Sequence, residues 1–329
     1  PGGEVITPAV TFPTTLSPIL QNGLVPVFVD CELGTYDVDV DAVAAAVSSK
    51  TQALVIPHTL GNPCRMDVLM EIAREHDLWV VEDCCDALGA KYNGKLVGTF
   101  GDASTCSFYP AHHITLGEGG GVVVREPKVA KIIRSVRDWG RDCWCEPGQS
   151  DTCGKRFGWQ LGDLPEGYDH KYIYSEIGYN LKPTDLQAAI GTVQADRIDE
   201  FHARRQHNFD RLYAGLKIYE EFLLLPKAYP DAEPAWFAFP LTVRGGVVRS
   251  ELVAWLEESL IETREIFSGN ILRQPAYRDV VHRVQGNLDR SDVVMRDTFF
   301  IGVYPGLTDE MLDFVLERFR EFFRSRGLS

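Results

Sequence analysis

Two histidines in a glycine-flanked turn, a carboxylate pair closing an apolar run and four unevenly spaced cysteines are the residues of this chain best suited to chemistry. The run LWVV ends in Glu82 and Asp83, and a carboxylate at the carboxyl end of a parallel strand can hold the cationic ring nitrogen of a cofactor. An isolated Glu-Asp pair serves equally as a helix cap or a solvated turn. About 24 residues on, SFYPAHHITLGEGGG (107–121) sets a serine after a strand, His112 and His113 in the next turn, and a glycine run that permits close backbone approach. Imidazole has an ordinary pKa near 6.5 and can move a proton at neutral pH; a pair of polar loop residues would read the same way. Cys85 and Cys143 are separated by 57 residues, Cys143 and Cys145 by Trp144 alone, and Cys145 and Cys153 by seven. Four thiolates suffice for an iron-sulfur cluster, and the same spacing also suits a structural zinc site or unrelated free thiols.

Such residues need elements to position them. Short β-branched runs alternate with helical patterns: VPVFVD (25–30), DVDAVAAAV (39–47), ALVIPH (53–58), MDVLMEIAREH (66–76) and LWVVED (78–83). This alternation predicts right-handed βαβ units and a mainly parallel sheet in an α/β protein. STCSFY (104–109) and GGVVVR (120–125) read as further strands, followed by a helix from Pro127 to Trp139. Residues 140–183 lack a period, are rich in Gly, Asp, Tyr and Trp, and hold three of the cysteines; an aperiodic stretch of about 40 residues inside a domain is usually functional. A long helix is predicted from Thr184 to Leu216, and WFAFPLTV, SELVAWLEES and TDEMLDFVLERFREFF predict a smaller α+β domain. The expected organisation is a large domain over 1–216 and a small one over 217–329.

At 329 residues, the chain has 33 lysines and arginines against 47 aspartates and glutamates. The net charge of −14 repels nucleic acid and anionic membrane surfaces, and the apolar runs are too short to span a bilayer. Eight cysteines in a chain this large do not require disulfide stapling, so reduced thiols or metal ligands in the cytoplasm are expected. PGGEVITPAV reads as the middle of a folded domain, so a segment upstream of Pro1 is expected to be missing.

EDCCDALG, FGDASTCSFYPAHHITLGEGGGVVV and GYNLKPTDLQAAIG together resemble the DegT-type sugar aminotransferase and dehydratase superfamily of fold-type I pyridoxal phosphate enzymes. In its aminotransferases, the turn before GEGG carries a lysine that bonds covalently to the cofactor; His112 stands at the matching position. Imidazole cannot make that Schiff base. The resemblance therefore implies loss of ordinary transamination, pyridoxamine phosphate held without a covalent bond, and His112 as the catalytic group that removes a proton from the cofactor methylene. It further implies that Asp83 pairs with the pyridine nitrogen, Asp86 meets the ring hydroxyl and Phe12 stacks on the ring. Ser107 would bond the phosphate, which Asn180 would reach from the neighbouring subunit of a homodimer. RDWGRDCWCEPG and DTCGKRFG, taken with the cysteine spacing, are similar to the CDP-4-dehydro-6-deoxyglucose 3-dehydratases of this superfamily, and the likeness continues through ILRQPAY and FFIGVYPGLTDEM. That similarity implies a [2Fe-2S] cluster on Cys85, Cys143, Cys145 and Cys153, a nucleotide-sugar substrate, and a separate flavin and iron-sulfur reductase as electron donor in dideoxysugar and lipopolysaccharide biosynthesis. The rival readings are a GDP-sugar 3-dehydratase without iron and an inactive, zinc-stabilised relative. Such enzymes grip the phosphate with a small-residue loop upstream of the segment matching Pro1, so the chain as given is expected to bind cofactor weakly.

Overall fold

Alternating β-branched runs give a seven-stranded sheet in the order Arg283–Val284, Val25–Val29, Glu4–Pro8, Thr51–Pro57, Trp79–Asp83, Ala103–Ser107 and Gly120–Val124. The computed structural model from which this order comes describes every residue except Pro147 and Ser329. Glu4–Pro8 pairs in parallel with both Val25–Val29 and Thr51–Pro57, which continues in parallel to Trp79–Asp83 and then Ala103–Ser107. Parallel strands need crossovers, and the helices that supply them cover both faces. Val40–Ala46, capped by the Asp39 carboxylate, and Met66–Glu75 share a core with Ile6, Val29, Leu54, Ile56 and Val80, while Pro13–Gln21 packs on Val5 and Phe28. Each such side chain, once buried, contributes about 1.5–3 kcal/mol.

The chain divides into two compact units, one formed by Pro1–Val123 with Ala189–Ser329 and the other by Val124–Ala188. Besides the main sheet, the first unit holds a four-stranded antiparallel sheet ordered Thr263–Arg264, Thr298–Gly302, Ala238–Val243, Leu223–Leu224. Phe209 of helix Ile198–Leu216 and Phe319 of helix Asp309–Ser325 pack on this sheet around Phe239. The single long helix expected over 184–216 is two, Asp185–Ala195 and Ile198–Leu216. No glycine or proline stands at the break. The second helix buries Arg205, Asn208, Phe209, Leu212 and Leu216, whereas the first buries only Gly191, so packing rather than local propensity separates them. The border expected near 216 coincides with the end of this second helix, while the segment that stands as a unit of its own is the cysteine-bearing one.

Within Val124–Ala188, helix Pro127–Arg137 is capped by Glu126 and buries none of its residues fully. Among its described residues, the aperiodic region that follows holds one short 3-10 turn, His170–Tyr172. Its two ends are clasped: Trp139 N–H donates to the Tyr179 carbonyl at 2.7 Å, Asp142 N–H to Ile173 at 2.9 Å, and Ser175 N–H to Gly140 at 3.0 Å. Gly140 has φ 78°, and a Cβ there would lie 1.8 Å from the Glu176 carbonyl oxygen. Only glycine fits the clasp. Among the described residues, no helix is long and apolar enough to cross a membrane.

Candidate active site

Strands Glu4–Pro8, Thr51–Pro57, Trp79–Asp83 and Ala103–Ser107 run in parallel, so their carboxyl ends share one edge, where open α/β sheets bind ligands. Period-two alternation sends Glu82 and Asp83 to opposite faces. Glu82 is fully buried and satisfied: Oε1 accepts from the Phe100 and Gly101 amides at 2.8 and 2.7 Å, and Oε2 from Gly98 N–H at 2.7 Å and His58 Nε2 at 3.2 Å. Burial alone would raise its pKa, but His58 and the amides of Gly101 and Gly98 hold the carboxyl below its ordinary value. His58, Glu82 and Cys84 are the one trio of potential metal ligands converging within 4.8 Å among the described residues, yet these bonds occupy the carboxylate without an ion.

Asp83 faces the edge. Its Oδ2 accepts from Thr15 Oγ1 at 2.6 Å, and its Oδ1 from Cys85 N–H at 3.2 Å and Thr105 Oγ1 at 3.3 Å. Phe108 N–H donates to the Gly119 carbonyl and Leu116 N–H to that of Phe108, closing the turn that carries both histidines. His112 Nε2 lies 3.4 Å from Asp86 Oδ1, and its ring meets Tyr109 and Phe237 edge-on with centroids at 6.0 and 5.6 Å. His112 Nδ1 and Asp86 Oδ2 are buried without partners. Burial lowers the His112 pKa, so the imidazole is neutral at neutral pH. Burial and the neighbouring Asp83 push Asp86 up to about 7, with the Arg205 guanidinium pulling the other way. Arg205 is itself buried, with Nη1 donating to the Phe237 carbonyl at 2.9 Å and Nε unpartnered.

Ser107 closes its strand half-buried, its Oγ accepting from Tyr109 N–H at 3.3 Å, and Phe12 is 49% exposed beside Phe267 at the start of helix Pro13–Gln21. His113 turns inward, and its Nε2 donates to the Ala235 carbonyl at 2.8 Å; it is a packed core histidine. Asn180 is exposed in the second unit and bridges to Asp138. Thr15, Arg205 and Phe237 went unnoticed in the sequence, since threonine in a helix, arginine in an amphipathic helix and phenylalanine in a strand run are ordinary there. The first-unit residues form an edge with a fixed carboxylate, a neutral base and unpartnered buried polar atoms. They suit a flat aromatic cofactor with a cationic ring nitrogen and a polar substituent.

The four cysteines divide between the units, Cys85 in the first and Cys143, Cys145 and Cys153 in the second. Cys85 Sγ lies 3.8 Å from Thr105 Oγ1, and burial together with Asp83 pushes its thiol up. Cys145 Sγ lies 3.1 Å from Thr152 Oγ1, a contact that holds its thiol below the ordinary value, whereas burial raises that of Cys143. Cys153 is half-buried, and its sulfur does not converge with the other two within 4.8 Å. Pro147, between these cysteines, lies outside the described residues. The donor set has the sulfur chemistry of a cluster, and two of the four are already neighbours.

Lipopolysaccharide biosynthesis protein RfbH of Salmonella typhimurium is 55% identical over 325 residues, covering 98% of this chain and 74% of that protein. A dTDP-4-dehydro-2,6-dideoxy-D-glucose 3-dehydratase of Saccharopolyspora spinosa is 55% identical over 324 residues, 98% of this chain and 70% of the relative. Among solved structures, Escherichia coli GDP-4-keto-6-deoxy-D-mannose-3-dehydratase with bound hydrated PLP superposes with TM-score 0.86 at 28% identity, covering 96% of this chain and 79% of that one. The α/β architecture with a mainly parallel central sheet is thus that of the pyridoxal phosphate-dependent aminotransferase fold. Residues 1–320 match the DegT/DnrJ/EryC1/StrS aminotransferase family, and the chain is a member of it.

Proposed function

We propose that this chain is a pyridoxamine phosphate-dependent nucleotide-sugar 3-dehydratase that removes the C3 hydroxyl of CDP-4-dehydro-6-deoxyglucose. The observation that carries the reading is the half-buried imidazole of His112 against Asp86, held neutral by its desolvation, in the turn where family aminotransferases need an amine. Two relatives whose names state a sugar 3-dehydratase activity support it. When bound, pyridoxamine phosphate supplies an amine for the 4-keto group and a ring that takes up the electron pair left by its methylene proton. Asp83, fixed by three donors, would hold the ring nitrogen protonated. Asp86 would meet the ring hydroxyl, Phe12 would stack on the ring and Ser107 would bond the phosphate. His112, whose Nδ1 has no partner, would be the group to take up the methylene proton and to give it to the departing C3 hydroxyl as water.

A stable 3-deoxy sugar also needs two electrons and two protons, and a [2Fe-2S] cluster would pass the electrons singly while solvent supplies the protons. Cys85, Cys143, Cys145 and Cys153 are its proposed ligands, and a flavin and iron-sulfur reductase is the proposed donor. Asn180 of the partner subunit completes the phosphate site in a homodimer. Leu186, Ile190 and Val193, spaced along one face of helix Asp185–Ala195 and 81%, 50% and 62% exposed, supply an apolar stripe for that contact.

Anaerobic purification with metal analysis tests the reading, together with assays of CDP-, dTDP- and GDP-linked 4-keto-6-deoxy sugars in the presence of pyridoxamine phosphate and a reductant. About two irons per chain and reductant-dependent loss of the C3 hydroxyl from the CDP sugar are expected. Iron-free turnover of the GDP sugar, with an amino acid restoring the cofactor, would establish the iron-independent alternative. Colourless protein with one zinc and no turnover would leave only a scaffold.

A further inference from the structure

The unit Val124–Ala188 carries ten lysines and arginines against ten aspartates and glutamates, so the chain's −14 resides wholly in the other unit. Within the neutral unit, charge is segregated. Residues 125–141 hold six cations, Arg125, Lys128, Lys131, Arg134, Arg137 and Arg141, against two acids, and all of the six but Arg141 are exposed. Lys131, Arg134 and Arg137 of helix Pro127–Arg137 line one side of a cavity of about 450 Å3, and Cys143, Trp144 and Cys145 line another.

The acids at this cavity are largely occupied. Asp138 pairs with Lys182, Asp142 with His170 at 3.3 Å, and Glu146 with Arg134 at 3.6 Å. Lys131 and Arg137 have no acidic partner among the described residues; Lys131 Nζ instead sits 5.0 Å from the centroid of the Trp144 ring. The cavity rim thus combines uncompensated cations, an exposed aromatic ring and two adjacent thiols.

We propose that this cationic rim, built on helix Pro127–Arg137 and the Cys143–Cys145 segment, is the docking face for an acidic electron-transfer protein. The inference rests on the reductive reading above and names where its donor binds. An acidic partner is repelled by the first unit, whose net charge has its own sign, and is drawn to the one unit where that charge is absent. The field therefore orients the encounter toward the thiols. Electron-transfer encounters use small, transient interfaces, under about 1,200 Å2, a size that one helix and its adjoining loop can provide.

The test uses the holoprotein, loaded with iron and pyridoxamine phosphate, and a plant-type [2Fe-2S] ferredoxin of net negative charge as the probe. Titration calorimetry should give an affinity that weakens roughly tenfold between low and high salt, since surface attraction is screened over about 10 Å at 0.1 M. The triple variant K128E/K131E/R137E should weaken it about tenfold at low salt, with iron content and reduction by dithionite unchanged. Lys50→Glu, in the other unit, should leave affinity as it was. Salt-independent affinity, indifference to the triple reversal, or no ferredoxin binding at low salt would overturn the proposal. A rise in KM for the nucleotide sugar with ferredoxin affinity intact would overturn it too, and would assign the rim to the substrate diphosphate. Protein that takes up no iron refutes the reductive reading itself, an outcome distinct from any of these.

Discussion

A base that works at neutral pH must be uncharged before substrate arrives, and His112 achieves this chiefly through burial, with the Arg205 guanidinium adding to it and Asp83 opposing. Because its pKa is lowered from 6.5, the acid limb of kcat/KM for the proposed dehydration should fall below pH 6.5; a limb at or above that value would show that another group carries the proton. His112→Asn should abolish exchange of the cofactor methylene proton with solvent, followed by NMR in D2O, while pyridoxamine phosphate affinity stays within about threefold, since no binding contact is removed. His112→Lys restores an amine able to bond covalently to the cofactor aldehyde, seen as absorbance that survives gel filtration. Thr15 gives a prediction that the sequence could not. Its hydroxyl meets Asp83 at 2.6 Å, and a hydrogen bond to a charged group is worth about 1.5–3 kcal/mol. Thr15→Val should therefore weaken pyridoxamine phosphate binding roughly tenfold or more, with Thr15→Ser restoring most of it.

At the scale of elements, the parallel strands were legible because β-branched runs alternate with amphipathic helices, and Trp79–Asp83 ends at the acid pair that marks its carboxyl end. The division of labour within that pair was not legible. Alternation predicts that two adjacent residues face apart, but only the fold reveals that Glu82 meets three amides and His58. Glu82→Gln should cost about 3 kcal/mol, read as a lower urea midpoint at pH 7. The folded pKa of Glu82 lies below its unfolded value, so this stabilisation is complete above about pH 4.5 and is lost as pH falls through the folded pKa. The gap between wild type and variant should close correspondingly in acid. The break between Asp185–Ala195 and Ile198–Leu216 escaped the sequence for a related reason: tertiary burial of Arg205, Asn208 and Phe209 decides it, with no local breaker to announce it.

At the scale of the whole molecule, charge totals concealed their own distribution. The net −14 that repels nucleic acid and anionic membranes is not spread over the chain: the unit Val124–Ala188 is neutral and locally cationic. The proposed homodimer carries a prediction at this scale. Sedimentation should give twice the 36.8 kDa of the chain, and Leu186→Glu with Val193→Glu should shift the protein toward monomer while far-ultraviolet circular dichroism stays unchanged. What composition and period conveyed was the layered architecture. What they could not convey was which side chains from distant segments meet, as Thr15 meets Asp83 and Arg205 meets the Phe237 carbonyl.

The glycine neck at residues 140 and 178 has a consequence for how this segment can vary. A Cβ on Gly178 would fall 2.2 Å from the Gly140 nitrogen, so neither position tolerates a larger residue, while the chain between them enters and leaves through nearly one point. Changes of length inside the neck, away from the three cysteines and from Trp144 and Glu146, are therefore absorbed between two ends that the glycines keep pinned together.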